Sequence, residues 1–131
     1  MKIVVLIARI LLGLLFVLAG SLGMYFAVTI GAPPPSPSPL PALAQQFVDV
    51  VFKSRYVEVV DAFQIVAGLL LLANRYVTLA VIILAAVLVN IFAYHTTMDP
   101  AGFPPAIVAL VLWLIVAWSR RASLSALLNA R

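Results

Sequence analysis

Glu58, Asp61, Asn90 and His95 are the polar side chains whose types and positions could do chemistry, because each lies within or at the end of a long apolar run. The amide and the imidazole can each donate a hydrogen bond, and the two acids are ionisable. In a bilayer such groups are costly and usually face a bundle interior or a cavity. Asp61 follows Tyr56 by five residues, roughly 7 Å along a helix. Asn90 precedes Tyr94 by four, roughly 6 Å. The two therefore sit at matching depth if their helices run antiparallel, and Glu58 and His95 match one another nearer the surface. The alternative for the same residues is structural. Glu58 would then be a solvated headgroup-level charge, Asp61 a partner of Arg55, Asn90 an interhelical hydrogen bond and His95 a structural donor.

Other chemistries find little support. One histidine and no cysteine do not make a zinc or iron site, and His95 with Met98 is only a faint copper pattern, so no metal is expected. There is no Gly-rich phosphate loop, no Ser-His-acid constellation and no disulfide.

The elements that must carry these residues are apolar helices. The chain is 66% hydrophobic and 9% charged, with a mean hydropathy of +1.22. A soluble domain is roughly half apolar and a quarter charged. Four runs stand out, at about residues 3–28, 56–73, 76–94 and 104–119. A crossing helix needs about 20 residues, so all four qualify, the last marginally. No alternating barrel pattern occurs, and unpaired backbone is untenable in hydrocarbon, which leaves helices. Tyr25, Tyr56, Tyr76, Tyr94 and Trp118 mark the ends of these runs, where an amphipathic ring meets the membrane surface. The apolar stretch from Ile10 to Ile30 is too long for a signal-peptide core, so the first run is expected to be a retained helix. The expected fold is all-α, a membrane four-helix bundle in a single domain.

The segment 31–41 holds six of the nine prolines and reads as an extended spacer. Over 42–55, Leu43, Phe47, Val50 and Val51 share one helical face and Gln46, Asp49 and Lys53 the other, which predicts a short interfacial amphipathic helix. Asn74 and Arg75 form a tight turn, and Thr96 to Pro105 form the last loop. Gly13, Gly20 and Gly23 suit close helix packing, and Arg9 is expected to reach back to the headgroups.

Basic residues orient the bundle. Lys2, Arg9, Arg75, Arg120, Arg121 and Arg131 fall on one side, Lys53 and Arg55 on the other. Six against two places both termini in the cytoplasm. All four acids and the histidine then belong to the outer half. A basic isoelectric point is explained by these anchors, and nucleic acid is not an expected partner.

The order of features resembles the DoxX-like family of small membrane proteins. The resemblance runs through Ala8, Arg9, Gly13, Phe16 and Gly20; Tyr56 and Glu58; Gly68 to Leu72; Asn74 to Tyr76; and Asn90, His95, Asp99 and Gly102. Gly23 and Arg55 depart from that pattern, as does the Pro-rich spacer. The resemblance implies a four-helix inner-membrane bundle, with Glu58, Asn90 and His95 as polar positions and, in some relatives, a link to quinone-dependent sulfur oxidation.

These readings give a multi-pass inner-membrane protein whose ligand-binding residues are Glu58, Asp61, Asn90 and His95. The expected ligand is a lipid-soluble molecule such as a quinone, held within a redox complex that supplies a partner subunit. Whether it is an enzyme stays open. A non-enzymatic membrane subunit or assembly factor is the alternative, and a small permease acting as a homo-oligomer is the third.

Overall fold

The computed structural model describes residues 1–129; Arg131, counted above among the basic residues, lies outside them. The described residues form six α-helices and no strand: α1 (Lys2–Tyr25), α2 (Ala42–Lys53), α3 (Tyr56–Leu72), α4 (Val77–Thr97), α5 (Phe103–Ser119) and α6 (Arg121–Leu128). A π-helical turn, Phe26–Ile30, prolongs α1, and a 3₁₀ turn, Pro100–Gly102, leads into α5. The stretches Lys2–Ile30, Val77–Thr97 and Pro100–Ser119 are each long and apolar enough to cross a membrane, which is compatible with a multi-pass membrane protein. With 17 residues, α3 extends roughly 26 Å, at the short end of what a bilayer requires.

Local chemistry sets the helix ends. Gly31 adopts φ 72° and donates its N–H to the Phe26 carbonyl at 2.8 Å, closing the π turn. The prolines that follow cannot continue a helix. Arg55 takes a left-handed φ of 61° between α2 and α3. Asn74, whose short amide tolerates that region, has φ 54°, and the Arg75 N–H returns to the Leu70 carbonyl at 3.0 Å. Pro104 and Pro105 occupy the first turn of α5, where a missing N–H costs nothing.

The last loop, expected over Thr96 to Pro105, is shorter at both ends, since α5 already begins at Phe103. The third run was expected to end at Tyr94, yet α4 continues through Thr97. The Thr96 and Thr97 hydroxyls donate to the Phe92 and Ala93 carbonyls, each at 2.7 Å, so these residues satisfy themselves on the helix they prolong. The helix α6 was not anticipated.

Packing joins the long helices in a ring: α1 lies against α3 and α5, and α4 lies against the same two. Leu12, Phe16, Leu71, Val81, Leu84 and Val116 are fully buried between them. The most extensive contact is between α1 and α3. A Cβ on Gly68 would sit 2.8 Å from the Gly13 carbonyl, and one on Gly13 would sit 3.0 Å from the Gly68 carbonyl. Only glycine at both places permits that crossing. Outward-facing Leu, Ile and Val remain exposed along α1, α3, α4 and α5, an apolar exterior that water would not tolerate over such an area.

Arg9 does not turn outward to headgroups. It is buried, and its Nη1 donates to the Leu71 carbonyl near the end of α3. A cation there complements the negative end of the helix dipole, which explains why it points inward.

Candidate functional site

A groove of about 570 Å³ runs between α3 and α4, with α2 across one end. Its walls are apolar, built by Val60, Phe63, Ile83 and Val87 among others, and Asp61, Gln64, Asn90 and His95 interrupt them. The groove opens sideways through the exposed Val59, Phe63 and Ile82, toward the medium that surrounds the apolar exterior. Phe47 of α2 closes the end, its ring centroid 5.6 Å from that of Tyr94.

Three of the four candidate residues line this groove: Asp61, Asn90 and His95. Glu58 does not. It accepts from Arg55 Nε at 2.6 Å and from Arg55 Nη2 at 3.0 Å, a two-point pair one turn apart. That hydrogen bond, and then the carboxylate's charge, raise the Arg55 guanidinium above its ordinary pKa. Arg55 is therefore committed to Glu58 and not to Asp61.

Asp61 is buried on α3. Its Oδ1 accepts from Gln64 Nε2 at 3.3 Å, whereas Oδ2 has no hydrogen-bond partner among the described residues. A buried carboxylate oxygen without a donor is costly, and such groups mark strain or an absent partner. Against it stands Gly23 of α1, whose missing side chain leaves the carboxylate its space.

Asn90 makes no interhelical bond. Its Nδ2 donates to the Ala86 carbonyl one turn back on α4 at 2.9 Å, leaving a second N–H and the amide oxygen for another group. His95 is fixed from its far side. Nδ1 lies 2.8 Å from the Asp99 carbonyl and 3.9 Å from its Oδ2. Because a carbonyl only accepts, Nδ1 carries the proton, and Nε2 is the acceptor of the neutral ring. Gly102 lies so close to the imidazole that any Cβ there would collide with it, and Phe103 packs at 6.0 Å between centroids.

Gln64 is a polar residue within a span that the depth argument leaves outside the four-residue cluster, although it stands three residues from Asp61 and lines the groove. Phe47 and Tyr94, which close the groove end, read in the sequence only as an interfacial face and a boundary marker. Among the described residues no group of three His, Asp or Glu converges to hold a metal.

Comparison with protein-family models, with curated proteins and with solved structures finds no match.

Proposed function

We propose that this chain is a DoxX-like inner-membrane protein, crossing four times with both termini in the cytoplasm. Its groove holds a lipid-soluble small molecule of the quinone class, as one subunit of a redox complex. The observation that carries this reading is a side-opening apolar slot with the hydrogen-bonding groups of Asn90, His95 and Gln64 on its wall. Planar carbonyl-bearing rings need that combination of apolar walls and a few placed polar groups. An opening toward lipid suits a ligand that partitions into the bilayer. The helix α2 lies as an interfacial helix at the outer surface and covers the slot.

Native mass spectrometry of gently extracted protein tests the reading by seeking a co-purifying quinone. Asn90→Leu removes a free donor without breaking an interhelical bond, so retention should fall several-fold while thermal stability holds. Ala86→Phe, which fills the slot, should abolish retention. Unchanged retention in both variants would remove the groove from consideration.

A second reading, a non-enzymatic membrane subunit or assembly factor, is favoured by one feature. Leu43 and Val50 of α2 remain well exposed and offer an apolar strip to a partner. A co-purifying protein lost on Val50→Asp, with no bound small molecule, would select it.

A further inference from the structure

The opposite end of the molecule carries a second recess, lined differently. Between α1 and α5 a groove of about 830 Å³ is walled by Val4, Val5, Leu114 and Ile115 and ends at Lys2, Trp118, Arg120 and Arg121. A smaller recess of about 170 Å³ adjoins it and shares Lys2 and Arg120, adding Arg9 and Asn74. Apolar wall and basic floor are thus continuous.

Charge at this end is unbalanced. Among the described residues the ion pair is Arg55 with Glu58, and the other close approach of a base to an acid is the His95 ring 3.9 Å from the Asp99 carboxylate, both at the other end. Lys2, Arg9, Arg120 and Arg121 have no acidic partner among the described residues. Arg121 is held with its guanidinium 5.4 Å from the Trp118 ring and its Nη1 3.2 Å from the Trp118 carbonyl. Val4, Leu114 and Trp118 are each about half exposed or more, as a surface awaiting an apolar chain would be.

We infer that this groove is a binding site for one anionic phospholipid. The phosphate lies against Lys2, Arg120 and Arg121, within reach of the free guanidinium donors of Arg9, and one acyl chain lies along Val4 and Leu114. Arginine presents several donors to phosphate oxygens, and basic recesses between membrane helices select anionic headgroups in this way. A zwitterionic lipid brings its own cation to a site already crowded with cations. Trp118 suits the headgroup level at which glycerol and carbonyl groups lie.

The test uses the full chain in neutral detergent and native mass spectrometry with phosphatidylglycerol and phosphatidylcholine of identical acyl chains. One phosphatidylglycerol should be retained preferentially. Each basic side chain near an anionic surface contributes roughly fivefold, so Lys2→Gln with Arg120→Gln should reduce that preference by more than about tenfold. The single variants should each take part of the loss, which keeps the result readable if the double variant folds poorly. Lys53→Gln, at the other end, should leave it intact. Equal retention of both lipids, or full preference in the double variant, would overturn the site. Displacement by glycerol 3-phosphate alone would also overturn it, by showing a free-anion site with no lipid chain.

Discussion

The Asp61 carboxylate occupies the space that a side chain on Gly23 would need: its Cγ and Oδ1 both lie 2.9 Å from the point where that Cβ would stand, and Oδ2 lies closer. The acid on α3 and the glycine on α1 are thus one packing unit. The Gln64 bond to Oδ1 keeps the carboxylate turned so that it also borders the groove.

That pairing yields a ranking of glycine substitutions. Gly23→Ala would press on a side chain that can rotate, and Asp61 can yield toward the groove. Gly68→Ala would press on backbone, with the Gly13 carbonyl at 2.8 Å and the Val17 nitrogen at 3.0 Å, so the helices themselves must separate. Overpacking of that kind costs about 1–3 kcal/mol. Thermal unfolding in detergent should show Gly68→Ala losing more stability than Gly23→Ala. The reverse order would mean that the α1–α3 crossing is looser than these distances imply.

Arg9 offers a second test, since its inward course has a measurable consequence. Arg9→Met removes a charge-assisted hydrogen bond but leaves the Leu71 carbonyl with the Asn74 N–H at 3.1 Å. A loss of about 1–2 kcal/mol follows, below the full cost of an orphaned buried group. Arg9→Lys keeps a cation at the end of α3 and should fall between the two. Little change in either variant would show that the guanidinium resides among the headgroups instead.

Counting along a helix and reading its facing direction are different problems. Rise per residue is fixed, so counting from Tyr56 and Tyr94 puts Asp61 and Asn90 at one expected level, and both residues border one groove. Azimuth is different. Helices apolar all round have no polar face to orient them, so the inward turn of Arg9 and the engagement of Glu58 by Arg55 could not be read from spacing alone. The Arg55–Glu58 interval of three was nevertheless a visible signal. Gly68 lay inside an apolar run and showed its purpose only when Gly13 was found opposite. The helix Arg121–Leu128 starts within the basic pair Arg120-Arg121, which read simply as the end of a span.

Topology can be tested independently of packing. Reporter fusions at Gly31 and Arg131 should lie on opposite sides, Gly31 outside and Arg131 in the cytoplasm, as the basic-residue asymmetry requires. Both reporters on the same side would exclude four crossings, and with them the assignment of the groove to the outer half. The short α3 is the segment on which this outcome turns.

The remaining prediction concerns Trp113, whose indole N–H reaches from α5 to the Val81 carbonyl on α4 at 2.9 Å. This is a side-chain bond between two long helices, made by a partly buried residue packed against the core. Bonds of this kind in membrane proteins average about 0.6 kcal/mol and reach about 1.7. Trp113→Phe keeps most of the ring's packing and removes the donor, so unfolding should show a loss within that range. The Val81 carbonyl also lies within α4, where the helix ladder can still satisfy it, which holds the cost down. Trp118→Phe supplies the control. Trp118 is 65% exposed and makes no bond through its indole N–H among the described residues, so its substitution should leave stability within about 0.5 kcal/mol. Equal losses in the two variants would assign the effect to ring volume and not to the bond across α4 and α5.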